Sequence, residues 1–139
     1  MTYISVASLS QSKASQLDKS ACEQPFYIHI EYFYIDKETD VAYYIIQIGV
    51  KVDNKVLVRN IAMRYSQLEK LNRLLYKQLP NNTEFPSFPP KKYIFNTNIN
   101  FLKKRYEDLD NYLSALTTIP HILQSEDFRN AFSISVNSK

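Results

Sequence analysis

Residues 85–91 read Phe-Pro-Ser-Phe-Pro-Pro-Lys, and this stretch decides how the second half of the chain folds. Proline has no amide hydrogen and its ring clashes with the preceding helical turn, so the stretch cannot lie inside a helix. It predicts a stiff, extended arm close to the polyproline II conformation. The arm ends in two cations, Lys91 and Lys92, which precede a short apolar run. An arm of this kind predicts contact with a surface that is both anionic and apolar.

Upstream of the arm, the sequence predicts three β-strands joined by short turns. Apolar and aromatic residues dominate residues 26–35, 41–52 and 56–63, and polar turns separate these segments. Such β-rich runs bounded by polar residues are typical of strands. Because the connections are short, the three strands are expected to form an antiparallel β-meander.

Helical periodicity begins after the third strand. Ser66 and Glu69 have the spacing of a capping box, which predicts a helix that starts there and ends at Pro80. A second helix is predicted beyond the arm, at residues 100–116, and Ser125 is expected to cap a short last helix. The predicted fold class is therefore α+β, a three-stranded antiparallel β-meander followed by a helical subdomain, with the proline-rich arm between the first two helices.

Composition divides the chain into one domain and two short tails. Residues 1–23 are polar and rich in Ser and Gln, which predicts a flexible N-terminal tail. The domain is expected at residues 24–135, followed by a C-terminal tail at 136–139. No stretch approaches the roughly 20 apolar residues that span a bilayer, so a soluble protein that at most lies on a membrane is expected.

Several classes of function are disfavoured by residue counts. One cysteine, Cys22, permits no internal disulfide, and one glycine, Gly49, is too few for a dinucleotide or P-loop fingerprint. The two histidines, His29 and His121, are far apart and lack the spacing of a metal site. The acidic residues cluster at helix positions where capping or solvation explains them. The sequence therefore predicts no enzyme, no metal and no cofactor.

The charge distribution is uneven. Residues 51–105 carry twelve basic and three acidic side chains, whereas the segments on either side are both net acidic. A basic middle between acidic ends favours an anionic partner on one side of the molecule. Nucleic acid is the weaker interpretation of this segment and is not expected as a partner.

Three motifs in this order resemble the phox-homology (PX) domain, a phosphoinositide-binding module of endosomal sorting proteins. Residues 64–68, Arg-Tyr-Ser-Gln-Leu, resemble the family's Arg-Tyr-x-x-Phe motif, and residues 85–91 fit its apolar-Pro-x-x-Pro-x-Lys arm. Lys104 and Arg105, ahead of a Leu-x-x-Tyr-Leu core at 109–113, resemble its second-helix motif. The resemblance covers roughly residues 25–134. Two positions depart from it, since Met63 stands where many members have a second basic residue and Leu68 replaces the motif Phe.

The resemblance implies a role for each matching residue in binding phosphatidylinositol 3-phosphate. Arg64 would hold the 3-phosphate through a two-pronged guanidinium contact, and Tyr65 would pack against the inositol face. Lys91 would meet the 1-phosphate, with Lys92 as a neighbour or substitute. Arg105 would bond the 4- and 5-hydroxyls, with Lys104 as an alternative. The wedge that enters the bilayer would be the apolar run after the arm, which comprises Tyr93, Ile94 and Phe95.

The resemblance also implies a cytoplasmic protein that lies peripherally on endosomal or vacuolar membranes and takes part in protein transport and sorting. Anionic lipid is expected as a second attraction. Alternatives remain open. The arm also matches a ligand of SH3 domains, so that it or the second helix would bind a protein partner. A third interpretation is a PX domain that prefers other phosphoinositides.

Overall fold

A four-stranded antiparallel sheet carries the fold, with helices packed on both of its faces. The computed structural model describes residues 2–20, 23–80, 84–91, 99–120 and 122–134. The sheet has the strand order β1-β4-β3-β2. Its strands are β1 (Thr2–Ser5), β2 (Phe26–Ile35), β3 (Ala42–Val52) and β4 (Lys55–Arg64), and the helices are α1 (Gln11–Lys19), α2 (Tyr65–Gln78), α3 (Ile99–Leu116) and α4 (Glu126–Phe132). Short 3₁₀ turns occupy Val6–Ser8 and Ile122–Gln124.

The main core lies between one face of the sheet and the helices α2, α3 and α4. Alternate residues of β2 and β3 point into it, and Phe128 of α4 meets Phe26 of β2 with ring centroids 5.7 Å apart. The two long helices present leucines to this face at helical spacing, as the sequence predicts. The fully or almost fully buried leucines of these helices are Leu68, Leu71, Leu75, Leu102, Leu109, Leu113 and Leu116.

Side chains from two helices occupy the outer edge of β2. The amide of Ile28 donates to Oε1 of Gln16, at 2.9 Å, and the amide of Ile30 donates to Oδ1 of Asp110, at 2.8 Å. The Tyr106 hydroxyl donates to the Ile30 carbonyl at 3.0 Å. An edge strand offers unpaired backbone groups, and these bonds satisfy three of them. They also fix α3 against the sheet, and with it the residue before Tyr106, which is Arg105.

The predicted meander and its helical half are confirmed. Strands β2, β3 and β4 pair consecutively and antiparallel, and the arm lies between α2 and α3. The hairpin turns place Asp40 and Asp53 in the left-handed region, with φ of 60° and 58°. Short polar side chains tolerate that conformation. The last helix is capped by Ser125, whose Oγ accepts from the Phe128 amide at 3.3 Å.

The prediction of three strands preceded by a flexible tail at residues 1–23 is wrong for residues 2–20. Residues 2–5 form a fourth strand that pairs antiparallel with β4, and α1 follows it. Leu17 of α1 packs against Tyr27 and Val56 on the sheet face opposite the main core. The prediction missed this segment because its composition is mostly polar. The N-cap at Ser10 and the few apolar residues that cover this second face were therefore not recognised. The predicted C-terminal tail, residues 136–139, lies outside the described residues.

The first long helix begins earlier than predicted. It starts at Tyr65, and its N-terminal bond runs from the Arg64 amide to Oε1 of Gln67, at 2.8 Å. The expected capping box of Ser66 and Glu69 is therefore wrong, because both residues already lie inside the helix. The shift places Arg64 directly at the boundary between strand and helix.

Position 49 requires a glycine because the Tyr27 ring lies close to its backbone. A Cβ built on Gly49 falls far inside van der Waals contact with the Tyr27 ring. We expect Gly49→Ala to destabilise the fold by about 1–3 kcal/mol through overpacking. Chemical denaturation measures this loss, and the variant Tyr27→Leu provides the control background. A loss that is equally large with and without the Tyr27 ring would contradict the explanation.

We expect His29 to make the stability of the fold depend on pH. The Asp110 carboxylate, whose Oδ1 lies 3.3 Å from Nδ1 of His29, raises the pKa of this histidine, while burial and Lys13 lower it and Glu31 adds to the rise. The folded pKa exceeds the ordinary value of about 6.5, so protonation stabilises the fold. The stabilisation should be fully present below about pH 6.5 and disappear as the pH rises through the raised pKa. A plot of melting temperature against pH should show this loss of stability for the unmodified chain and not for His29→Gln. An unchanged pH dependence in His29→Gln would show that other groups cause it.

Candidate functional site

The strand-to-helix boundary presents Arg64 to solvent. Arg64 ends β4 and stands directly before the first residue of α2. Its side chain is exposed, and it stands across the ladder from Tyr43 of β3. The free amides and the dipole of a helix N-terminus attract anions, which adds to the charge of the guanidinium. This boundary is therefore suited to an anionic group.

Tyr65 connects three parts of the structure. Its hydroxyl donates to the carbonyl of Pro89 in the arm, at 2.6 Å, and its ring lies 5.3 Å from that of Phe88. Cζ of Arg105, from α3, lies 4.0 Å from the centroid of the same ring. Burial and Glu69 raise the pKa of the Tyr65 phenol, whereas Arg105 lowers it. The phenol thus stays a neutral hydrogen-bond donor to the arm.

Arg105 is stacked between two aromatic rings. Its Cζ lies 4.0 Å from the centroid of Tyr65 and 4.5 Å from that of Phe101, which precedes it by one helical turn. Contacts of this kind use the faces of the planar guanidinium and leave the N–H groups at its edges for hydrogen bonds. A stacked guanidinium is well suited to bind a ligand that carries several oxygen atoms.

The arm is packed against the helices through its aromatic residues. The ring of Phe88 meets that of Tyr112 at 4.9 Å, and Phe85 meets the rings of both Tyr76 and Tyr112. Pro89 is buried and its carbonyl accepts from Tyr65. Lys91 follows two residues later and is exposed. Lys91 therefore lies just beyond an anchored segment of the arm, with its side chain exposed to solvent.

The predicted site residues are brought together only in part. Tyr65 and Arg105 are in contact, Arg64 directly precedes Tyr65, and Lys91 stands two residues after Pro89, whose carbonyl Tyr65 bonds. Lys104 is turned elsewhere and pairs with Asp108 at 3.1 Å, which favours Arg105 over Lys104 as the ligand of this helix. Lys92 and the predicted wedge, Tyr93, Ile94 and Phe95, lie outside the described residues.

Three residues of this region were absent from the sequence prediction. Phe101 and Phe88 flank the stack, and Phe101 could have been found because it stands four residues before Arg105 on the same helix. Tyr44 of β3 is fully buried, and its hydroxyl has no hydrogen-bond partner in the described part of the chain. Burial raises the pKa of this phenol, and Arg105 opposes the rise. No local pattern distinguishes Tyr44 from its neighbours Tyr43 and Ile45.

Comparisons with known proteins agree on one family. A family model described as PX domain matches residues 54–134, which run from the last strand through α4. A designed CISK-PX domain is 24% identical with a TM-score of 0.61, over 74% of this chain and 94% of that chain. The mouse SNX19 PX domain, solved with bound sulphate, is 17% identical with a TM-score of 0.63, over 81% of this chain and 99% of that chain. No curated protein matches the chain.

The bond from Tyr65 to Pro89 should contribute measurably to holding the arm. We expect Tyr65→Phe to lower the free energy of unfolding by about 0.5–1.5 kcal/mol, because the arm loses one hydrogen bond while the ring stays. Urea denaturation measures the loss. Tyr76→Phe is the matched control, since Tyr76 also touches the arm with its ring but is 68% exposed. Equal stability of the two variants would contradict the expectation.

Proposed function

The chain belongs to the PX domain family, and from that premise we propose that it recognises phosphatidylinositol 3-phosphate. Domains of this family are generally non-catalytic, phosphoinositide-binding modules that target proteins to membranes. One observation carries the proposal. Arg105 stacks on the Tyr65 ring next to Arg64, and the Tyr65 hydroxyl holds the proline arm, so three motifs distant in sequence meet around one residue.

Each of these groups has a role in the proposed headgroup contact. The Arg64 guanidinium takes the 3-phosphate, assisted by the N-terminus of α2, and the Tyr65 ring packs against the face of the inositol. The Arg105 edge bonds the 4- and 5-hydroxyls, and Lys91 takes the 1-phosphate. The support for this assignment is the contact of Arg105 with Tyr65 and the anchored arm that precedes Lys91.

The proposed preference for a single phosphate on the ring has a physical reason. Met63, where many family members have a second cation, is buried in the core and supplies no charge. The charge of Lys104 is offset by Asp108. Arg64 and Arg105 are then the two guanidinium groups assigned to the inositol ring. Arg64 is assigned to the 3-phosphate and Arg105 to the 4- and 5-hydroxyls. In a lipid with an additional 4- or 5-phosphate, that phosphate replaces one of the hydroxyls, and neither Met63 nor Lys104 supplies a cation to bind it.

Membrane attachment is proposed to be peripheral. No helix in the described ranges is long and apolar enough to cross a bilayer. We assign attachment to headgroup capture, to attraction of anionic lipid by the basic middle of the chain, and to insertion of Tyr93, Ile94 and Phe95 with Lys92 beside them. The proposed location is the cytoplasmic face of endosomal or vacuolar membranes, with a role in protein transport and sorting.

The arm is less accessible to a protein partner than its sequence indicates. An SH3 domain reads a Pro-x-x-Pro ligand through exposed proline rings. In this chain Pro89 is buried and its carbonyl is bonded by Tyr65, so such a partner would have to unpack the arm. Lipid is therefore the preferred ligand. We propose residues 24–135 as the lipid-binding unit, against which the N-terminal strand and α1 pack.

Replacement of Arg64 tests the proposal directly. A charge-assisted hydrogen bond contributes about 1.5–3 kcal/mol, so Arg64→Gln should weaken binding to vesicles containing phosphatidylinositol 3-phosphate at least tenfold. Vesicle flotation across a panel of phosphoinositides measures affinity and preference together. The matched control is Arg73→Gln, which removes the same charge from the exposed surface of α2.

The control separates headgroup recognition from general attraction. Arg73→Gln should bind within about twofold of the unmodified chain, because one distant surface charge is screened by salt. If Arg64→Gln binds as well as Arg73→Gln, the assignment of the 3-phosphate to Arg64 is wrong. Tighter binding to lipids with 4- or 5-phosphates would reject the proposed preference but leave phosphoinositide binding intact.

A further inference from the structure

One half of the second sheet face is left open by the described residues. The helix α1 packs on the other half, where Leu17 meets Tyr27 and Val56. Residues that stand directly opposite each other in a sheet share a face. The register places two cross-strand rows on the open half, namely Tyr32, Ile45 and Ala62, and Tyr34, Tyr43 and Arg64. None of these six side chains belongs to either cluster of buried residues, so this surface is available for contact.

Tyrosine rings dominate the open half. Tyr32 is 57% exposed and Tyr34 is 44% exposed. The ring of Tyr34 stacks on that of Tyr43, with centroids 5.6 Å apart and an angle of 19° between the planes. We call these three residues the tyrosine patch. Contiguous exposed apolar surface marks interaction sites, and tyrosine is enriched where proteins meet.

Carboxylates border the tyrosine patch at one end. The turn that joins β2 to β3 carries three carboxylates and one ammonium group, a net charge of −2, from Asp36, Glu38, Asp40 and Lys37. Oδ1 of Asp36 accepts from the Glu38 amide at 2.8 Å, which holds the turn in shape. None of the three carboxylates forms a salt bridge with a described residue. The turn therefore presents uncompensated negative charge beside the rings.

The covered half of the same face shows which chemistry fits such a surface. Nζ of Lys13, on α1, lies 5.5 Å from the centroid of the Tyr27 ring and 3.0 Å from Oε1 of Glu31. An ammonium group is thus held by a tyrosine ring and a carboxylate, and this contact helps to dock α1 on the sheet. Cations are attracted to the faces of aromatic rings. The open half presents the same two kinds of group, with its carboxylates still unpaired.

We propose that the tyrosine patch and the β2–β3 turn form a docking surface for a basic segment of a partner protein. Its arginine or lysine side chains lie on the tyrosine rings and pair with the carboxylates of the turn. Arginine fits best, because its planar group stacks on a ring while its edge N–H groups bond carboxylates. Arg64 repels cations at the β4 end, which places the segment over β2 and β3. An anionic membrane does not fit, because it repels the negative turn.

A synthetic peptide tests the charge requirement without lipid. The probe is a short fluorescein-labelled peptide in which arginine and alanine alternate, and the same peptide with glutamine for arginine is the control ligand. Fluorescence anisotropy with the full chain should show saturable binding of the arginine peptide alone. The double variant Glu38→Gln with Asp40→Asn should weaken this binding about three- to tenfold, because two exposed ion pairs are lost.

Matched variants separate this surface from general attraction. Asp18→Asn with Asp53→Asn removes the same charge from α1 and from the turn at the opposite end of β3, and should bind the peptide within about twofold of the unmodified chain. Tyr32→Ala removes a ring and no charge, and should weaken binding about two- to fivefold. Its control is Tyr3→Ala on β1, since Tyr3 is 58% exposed and should have no effect.

The location of the bound peptide decides the proposal. Backbone amide shifts in an NMR titration with the arginine peptide should centre on residues 32–45. The proposal is overturned if the peptide does not bind saturably, if the two double variants lose affinity equally, or if Tyr32→Ala acts no more strongly than Tyr3→Ala. Self-association that Tyr32→Ala abolishes would assign the surface to a second copy of the chain, and weaker binding of Tyr32→Ala to phosphatidylserine vesicles would assign it to a membrane. Either result would also contradict a basic partner segment.

Discussion

The contact between the Arg105 guanidinium and the Tyr65 ring is the interaction on which the rest of the site depends. Tyr65 opens α2, bonds the carbonyl of Pro89 and carries Arg105 on its ring face. A single side chain thus joins the sheet, the arm and α3. Two hydrogen bonds join α3 to β2 and hold it where this contact forms: the Tyr106 hydroxyl donates to the Ile30 carbonyl, and Asp110 accepts from the Ile30 amide. The arrangement is prepared before any ligand arrives, which lowers the entropic cost of binding.

The two faces of the sheet pack against different parts of the chain. One face forms the main core with α2, α3 and α4 and so sets the geometry of the candidate site. The other face is covered in part by α1, with Leu17 against Tyr27 and Val56. Lys13 of α1 bonds both Glu31 and Gln47, at 3.0 and 2.8 Å, so the N-terminal segment is fixed by polar contacts as well. Its packing stabilises the strands that end at the site.

Strong local patterns predicted most of the fold, and contacts between distant segments escaped prediction. The meander, the helix after the arm and the Ser125 cap follow from periodicity and capping, and the structure agrees. The N-terminal strand and α1 were missed because their apolar residues are few and acquire meaning only against the second face of the sheet. At the site, Tyr65 and Arg105 could be named from their motifs, whereas the hydrogen bond from the Tyr65 hydroxyl to the Pro89 carbonyl could not, because only the fold brings these two segments together.

The central claim is that Arg64, Tyr65, Lys91 and Arg105 form one receptor for an inositol headgroup. The most direct measurement is NMR titration of the chain with the soluble headgroup, inositol 1,3-bisphosphate, following backbone amides and arginine side chains together. The account predicts saturable shifts that centre on the β4–α2 boundary, on the end of the arm and on Arg105, with one common dissociation constant. Absence of saturable shifts, or shifts confined to α1 and the far end of the sheet, would contradict it.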